Sequence, residues 1–303
     1  TVSANLGMSY SICNVLTEAG DENILRWVPF DINRDDLRNR VRNKMIRPTT
    51  IPQTLEDLVI EQAMAREALR LAFEHHKDLA VGLRGVQQKR DISQTFEQSG
   101  TGETLVDVMD LGMLIGSGGV LSHAPRRIQA VLMMLDAFQP EGITRLTVDS
   151  IFMAPQLGVL STIHPVAAND VFQKDCLIRL GTCIAPVGTA KEGDPCVTVT
   201  ATLPDGQQVE KSVPYGSIDT IPLADGFAEV VIRPARGFDV GEGRGHEVKA
   251  TLEGGVGGLI IDARGRQPLY LPEDTENRIR KLLEWYKALD VYPMDVLAKY
   301  AKK

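Results

Sequence analysis

The fold of this chain is decided by residues 111–135, which read LGMLIGSGGVLSHAPRRIQAVLMML. An apolar run at 111–115 leads into four residues rich in glycine, and a long segment of Ala, Leu and Met follows. Glycine at a turn lets the backbone come close to a ligand, because there is no Cβ in the way. The pattern predicts a strand, a glycine turn and a helix.

The glycine turn is the candidate binding site. A helix that begins after such a turn offers free N–H groups and the positive end of a dipole, which suit phosphates and other anions. No Lys follows the glycines as in the Walker pattern, and the spacing is not GxGxxG, so a tight turn without a ligand fits equally well. The candidate cofactor-binding residues are Gly116, Ser117, Gly118 and Gly119 in the turn, His123 and Arg126 at the start of the helix, and Asp149 beyond it.

The charged residues of this set have plain alternatives. Arg126 and Arg127 follow Pro125 at the start of the helix, where one of them would face a nucleotide phosphate or a partner surface. Both fit a solvated helix face as well. Asp149 ends the strand predicted at 144–149, a position where open α/β sheets place ligand contacts, but a helix cap or a turn residue fits it too.

Upstream of this unit the sequence is helical. The clearest helix is predicted at 54–77, where apolar residues recur at helical spacing. A charged surface helix is predicted within 31–50, and a long polar connection at 78–110. His75 and His76 are adjacent and therefore point apart, so we expect them to cap the last turn and predict no metal site.

Downstream, a helix predicted at 153–160 follows the strand, so residues 105–163 alternate between strand and helix, as in an α/β layer. After residue 165 the composition shifts to Val, Thr, Gly and Pro, which predicts a sandwich-like or barrel-like β domain. An amphipathic helix at 273–290 would dock on that domain or on a partner. Strands are predicted at 177–180, 196–203, 209–213, 228–233, 247–252 and 258–262.

The expected fold class is therefore α/β, divided into three parts. An α/β lobe would occupy residues 1–165 and a β-rich domain residues 166–272. A C-terminal helix would occupy residues 273–303.

The composition is that of a globular protein and argues against several classes of function. Apolar residues make up 43% and charged residues 24% of the chain. The net charge of −7 gives no support to a nucleic-acid partner, and no window approaches the roughly 18 apolar residues of a membrane span. There is no secretory signal, and the four cysteines lack a CxxC pair, so we expect free thiols in a cytoplasmic protein.

The chain begins with Thr1 rather than Met, which indicates a processed product or a piece of a longer protein. An N-terminal threonine is also the nucleophile of self-processed hydrolases, which use its α-amine as the base. We rank this hydrolase hypothesis lowest because no Lys or Ser helper stands out. No catalytic residue is assigned.

Motifs spread over nearly the whole chain resemble one family. They include IGSGGVLSHAPRRIQAVLMMLDAFQPEGIT at 115–144, LTVDSIFMAPQLGVLS at 146–161, VPYGSIDTIPL at 213–223 and GLIIDARGRQPLYLPED at 258–274, with TVSANLGMSYS and AREALRLAFEHH upstream. Together they resemble the MutL/GlmL family, accessory proteins encoded beside adenosylcobalamin-dependent glutamate mutase and ornithine aminomutase. This family is distinct from the mismatch-repair protein of the same name.

The family is similar to the acetate kinase, Hsp70 and actin superfamily of ATPases. The resemblance implies part of an actin/Hsp70-like, ribonuclease H-like ATPase lobe followed by a β-rich domain, with ATP and Mg²⁺ as cofactors. It implies that Gly116, Ser117, Gly118 and Gly119 contact the adenosine. The phosphate motifs of DxGST and DIGGATT type are absent from this sequence. The resemblance thus implies that this chain is the C-terminal part of a longer protein. Its nucleotide site would need the N-terminal half of that protein.

The function that the resemblance implies is a reactivating chaperone for an adenosylcobalamin-dependent mutase or aminomutase. ATP binding and hydrolysis would move two lobes and release damaged cobalamin through contacts with the mutase subunits. ATPase activity is expected only when the N-terminal half is present. The missing phosphate motifs favour an alternative for the isolated chain, a non-catalytic assembly or scaffold subunit with a degenerate nucleotide-binding lobe.

Overall fold

The N-terminal part of the chain is a helical layer. A computed structural model describes residues 3–80, 105–266, 269 and 271–300. Thr1 and most of the polar connection predicted at 78–110 lie outside these residues. The helices of the layer are α1 (Ile12–Ala19), α2 (Asp21–Leu25), α3 (Arg34–Ile46) and α4 (Leu55–Leu79).

Helix α4 lies at the centre of this layer and confirms the helix predicted at 54–77. Thr54 caps it, because its Oγ1 accepts a hydrogen bond from the Asp57 N–H at 3.1 Å. The helix contacts both α1 and α2. The buried surface of α4 is therefore larger than the predicted apolar stripe. It includes the charged side chains of Arg66 and Glu67.

The strand, glycine turn and helix predicted at 111–135 are all present. The strands β1 and β2 run parallel, with Gly116 opposite Val148, and two helices connect them. The fold is therefore a mixed α/β structure, as the sequence predicts. The elements of this unit are β1 (Met113–Gly116), α5 (Gly119–Ser122), α6 (Arg127–Phe138) and β2 (Gly142–Asp149).

Two short helices follow β2. Helix α7 (Ala154–Leu160) confirms the helix predicted at 153–160. Helix α8 (Pro165–Val171) and the π-helical turn Phe172–Cys176 were not predicted. Only one residue of α8 is buried. A helix with so small a buried face does not show the apolar stripe by which helices are recognised in a sequence.

The remaining strands include all those predicted from the sequence. One further strand, β6, was missed because Asp219 and Thr220 separate its two isoleucines, so that it shows neither an apolar run nor strict alternation. The strands are β3 (Leu177–Ala185), β4 (Pro195–Thr202), β5 (Gln208–Pro214), β6 (Ile218–Ile221), β7 (Phe227–Pro234), β8 (Val248–Glu253) and β9 (Leu259–Asp262).

These strands form two sheets that lie against each other. The first is five-stranded and mixed, in the order β1-β2-β3-β9-β6, and the second is four-stranded, in the order β5-β4-β7-β8 with antiparallel neighbours. Successive side chains of a strand point to opposite faces. Cys183 and Ile260 accordingly join the core beneath the helices, and Ile184 and Ile261 join the core between the two sheets. The order of layers is helices, mixed sheet, antiparallel sheet.

The five-stranded sheet takes strands from both sides of residue 165, where the sequence suggested a domain boundary. Strands β1 and β2 precede this point, whereas β3, β9 and β6 follow it. The division into three parts stays a prediction. The C-terminal helices α9 (Thr275–Ala288) and α10 (Met294–Tyr300) join the core of the helical layer, and Trp285 Nε1 donates to the Gly216 carbonyl beside β6 at 2.9 Å.

A buried network of ion pairs joins the helical layer to the mixed sheet. Asp136 on α6 accepts from Arg66 Nε of α4 at 2.6 Å and from Arg264 Nη1 at 2.8 Å. Asp262, the last residue of β9, binds Arg264 through two hydrogen bonds of 2.8 Å and lies 3.0 Å from Arg266 Nη2. All five residues are at most 6% exposed.

Both carboxylates of this network are paired with more than one arginine. Burial by itself raises the pKa of Asp262, but Arg264 and Arg266 together hold that pKa well below its ordinary value. The stability that Asp262 contributes is therefore complete above a pH of about 4 and is lost as the pH falls toward the lowered pKa.

Replacing Asp136 by alanine is expected to lower the free energy of unfolding by about 3–5 kcal/mol, because Arg66 and Arg264 would each lose a buried partner. Urea unfolding of both proteins measures the difference. Glu247→Ala is the matched control, since Glu247 pairs with Arg233 at the surface and should cost less than about 1 kcal/mol. Equal costs for the two substitutions would contradict a structural role for the network.

The cysteines give a second prediction. All four are free, and Cys176, Cys183 and Cys196 are buried while Cys13 is partly exposed. Burial raises the pKa of Cys183 and of Cys196 to about 12, so both stay protonated at pH 8, and the thiolate is the reactive form.

We therefore expect Ellman's reagent at pH 8 to label one thiol of the folded protein rapidly and all four after unfolding in urea. A Cys13→Ser variant should lose the rapid phase. Rapid labelling of a further thiol in that variant would show that the buried cysteines are accessible.

Candidate functional site

The glycine turn lies at the carboxyl ends of two adjacent parallel strands. Gly116 ends β1 opposite Val148, and Asp149 ends β2 one residue further on. The turn at Ser117 and Gly118 therefore leaves the sheet next to the end of β2. This edge of an open α/β sheet is where ligands commonly bind.

Two glycines of the turn, Gly118 and Gly116, are required for different reasons. Gly118 has φ +95° and ψ 156°, a combination that is essentially restricted to glycine. A Cβ on Gly116 would lie 3.0 Å from both Leu121 Cδ1 and Met134 Sδ, so close packing requires this glycine. At Gly118 and Gly119, apart from the adjoining residues and the backbone of α5, no heavy atom of the described residues lies within 4 Å of the position a Cβ would take, so the backbone there is open to a ligand.

Two polar members of the predicted set are solvent-exposed beside this backbone. Ser117 lies in the turn itself, and His123 follows the last residue of α5. The His123 N–H donates to the Gly119 carbonyl at 3.0 Å and closes the short helix. Both side chains are therefore placed at the edge of the open turn.

The arginines at the start of α6 already have partners within the protein. Arg126 Nη1 donates to the backbone oxygen of Asp290 at 2.8 Å and to its Oδ1 at 2.9 Å. Arg127 donates to the Ser122 carbonyl. The side chain of Arg126 is 41% exposed and that of Asp290 is 84% exposed, so their ion pair is weak and an anion could compete for Arg126.

Asp149 is fully buried, and its carboxylate supports the loop that follows β2. It accepts hydrogen bonds from the N–H groups of Ile151 at 3.3 Å, Met153 at 3.2 Å and Ala154 at 2.9 Å. Its backbone oxygen accepts from Ser122 Oγ at 2.6 Å. This geometry agrees with the cap-or-turn alternative, and a ligand contact by Asp149 stays a prediction.

Two residues that shape the site carry no signal in the sequence. Ser122 links α5 to the end of β2, and Asp290 approaches Arg126 from a position 164 residues away in the chain. Asp290 has φ +49°, which is uncommon outside glycine. Only the folding of the C-terminal helices onto the helical layer brings it to the glycine turn.

Other predicted or possible sites lie elsewhere. His75 Nε2 lies 2.8 Å from Glu18 Oε1, and within the described ranges no three or more His, Cys, Asp or Glu side chains are grouped to hold a metal ion. A cavity of about 530 Å³ lies between α3 and α4, away from the glycine turn. Among the described helices none has the length and apolar character needed to cross a membrane.

Comparison with known proteins identifies one family. A family model described as MutL protein matches residues 1–176, which include the glycine turn, both arginines at the start of α6 and Asp149. No curated protein and no solved structure matches the chain.

The different requirements at Gly118 and Gly119 lead to a test of the turn itself. Gly118→Ala is expected to cost about 1–3 kcal/mol of stability, because alanine is strained at φ +95°. Gly119→Ala should be neutral or slightly stabilising, since Gly119 begins α5 and has open space around it. Thermal unfolding of the two variants measures the contrast, and equal stabilities would show that the turn adopts another conformation in solution.

Proposed function

The chain belongs to the MutL family, and from this premise we propose that it is a reactivating chaperone for an adenosylcobalamin-dependent mutase or aminomutase. The observation that carries the proposal is the family match over residues 1–176 of the 303-residue chain. The resemblance to accessory proteins of glutamate mutase and ornithine aminomutase supplies the class of partner. The proposed activity is the ATP-driven release of damaged cobalamin from that mutase.

The glycine turn fits one side of a nucleotide. The open backbone at Gly118 and Gly119 would let a sugar or base approach closely, and Ser117 and His123 offer polar groups at its edge. Arg126 is held by a solvent-exposed contact with Asp290 and could turn toward the phosphate nearest the adenosine. These residues form the adenosine side of the proposed site.

The phosphate side would come from another polypeptide segment. Both carboxylate oxygens of Asp149 are engaged by backbone N–H groups, so this residue is poorly placed to hold Mg²⁺. We propose that the N-terminal half of the protein contributes the phosphate and Mg²⁺ contacts. ATP, when bound, would supply the free energy for moving the two halves relative to each other.

The contacts around the turn suggest how a change there reaches the rest of the protein. Arg126 connects the start of α6 to the turn after α9, and Ser122 connects α5 to the end of β2. If the N-terminal half closed over Gly118 and Gly119, the movement would therefore act on both segments. In the proposed scheme the antiparallel sheet contacts the mutase, and its exposed face carries polar and charged side chains such as Thr198, Glu229 and Arg233.

A second candidate is a non-catalytic assembly or scaffold subunit with a degenerate nucleotide-binding lobe. The engagement of Arg126, Arg127 and Asp149 in contacts within the protein favours it. The effect of ATP on mutase binding separates the two candidates. A scaffold would bind the mutase equally well with and without ATP.

The deciding experiment follows cobalamin release from glutamate mutase that is loaded with hydroxocobalamin. The mutase is incubated with this chain, the N-terminal half and Mg²⁺, with and without ATP, and free cobalamin is measured by its absorbance after filtration. The chaperone function predicts release that depends on ATP. Mutase binding without ATP-dependent release would favour the scaffold.

A matched pair of glycine variants connects that result to the turn. Gly119→Val places a side chain on the open backbone and should weaken ATP binding about tenfold or more, equivalent to about 1.4 kcal/mol or more. Gly112→Val is the control, because Gly112 precedes β1 at the opposite end of the strand and also has open space around it. If both variants bind ATP like the wild type, the glycine turn is not the nucleotide site.

A further inference from the structure

The two helices that follow β2 form a protruding hairpin that is almost entirely exposed. Helices α7 and α8 are joined by residues 161–164 and pack against each other and against the π-helical turn. Leu157 is the buried residue of α7, and Ala168 is that of α8. The other side chains of the two helices are exposed or half-buried.

The exposed side chains of this hairpin and of the loop before it are largely apolar. They are between 37% and 75% exposed, and together they present several hundred Å² of surface, comparable with the largest apolar patch of a typical monomer, about 300–600 Å². A standard protein interface buries about 800 Å² on each partner. The residues of this hairpin patch are Ile151, Phe152, Val159, Leu160, Ile163, Val166 and Val171.

The loop at the base of the hairpin is held in a defined conformation. Phe152 has φ +58°, a strained value for a bulky residue, and the residue is 55% exposed. The three hydrogen bonds to the buried Asp149 carboxylate surround this residue and stabilise the loop. The apolar side chains are therefore presented by an ordered segment, which lowers the entropy lost on binding.

The charge distribution favours contact between two copies of the chain. The only charged residue in 151–171 is Asp170, and Lys174 Nζ lies 3.6 Å from its carboxylate, so the hairpin is close to neutral. The whole chain carries a net charge of −7, so two copies repel each other least when a neutral surface of each meets the other. The hairpin patch is such a surface. It also lacks the cluster of basic residues that anionic membranes attract.

We propose that the hairpin patch binds the hairpin patch of a second copy of this chain and forms a two-fold symmetric dimer. The same patch would lie on both sides of the interface, so apolar side chains of one copy would meet apolar side chains of the other. The two short α-hairpins would pack as a small helical bundle around Val159, Ile163 and Val166. The inference is independent of nucleotide binding, so either proposal can fail without the other.

The test is the oligomeric state of the intact chain by sedimentation velocity between 1 and 100 μM. The wild type is expected to show a species of twice the 33.2 kDa chain mass at the higher concentrations. Ile163→Asp should raise the dissociation constant about 100-fold, because two carboxylates would be buried at the interface without partners. Hydrogen exchange in residues 154–171 should slow with increasing concentration in the wild type but not in this variant.

Ile51→Asp is the matched control. Ile51 is 70% exposed and Ile163 is 72% exposed, so the two substitutions add the same charge at equally exposed isoleucines, but Ile51 lies between α3 and α4, outside the hairpin patch. It should leave the dimer unchanged. A wild type that stays monomeric at 100 μM overturns the proposal. It does so even if the hairpin is then found to bind another polypeptide or lipid vesicles. A dimer that resists Ile163→Asp, or that Ile51→Asp disrupts equally, overturns it as well.

Discussion

Two buried carboxylates, Asp136 and Asp262, hold the helical layer against the mixed sheet. Between them they bind the guanidinium groups of Arg66, Arg264 and Arg266, and no other charged contact joins so many elements at full burial among the described residues. Removing charges from water is costly, so such a network contributes less net stability than its contacts suggest. Its directional hydrogen bonds instead make alternative registers of α4, α6 and β9 unfavourable, which suits a role in specifying one arrangement.

The aromatic side chains around this network complete it. The Arg264 guanidinium lies 4.8 Å from the centre of the Trp285 ring, and that of Arg66 lies 5.7 Å from the centre of the Trp27 ring. Both rings belong to the helical core, so the charges are enclosed by apolar surface that strengthens each ion pair. The C-terminal helix α9 is tied to this centre through Trp285, and this position brings Asp290 to the glycine turn.

The sequence predicted the glycine turn because its signal is local. An apolar run, glycines and an amphipathic segment follow one another within residues 111–135, and neighbouring residues decide whether such a stretch forms a strand, a turn and a helix. The roles of the charged residues at the site could not be obtained in this way. Asp149 and Arg126 are engaged by the loop after β2 and by Asp290, and contacts of this kind depend on the folded arrangement.

Local sequence patterns account for the α/β class, the main helices and nearly all the strands, since hydrophobic periodicity and turn residues act over short stretches of chain. Which strands share a sheet became clear only from the folded arrangement. Strand β1 joins β2 in parallel, while β3, β6 and β9 complete the same sheet from beyond residue 165. Strand pairing and the burial of Arg66 against Asp136, 70 residues away, depend on contacts between distant segments, and the local pattern of a sequence carries no record of them.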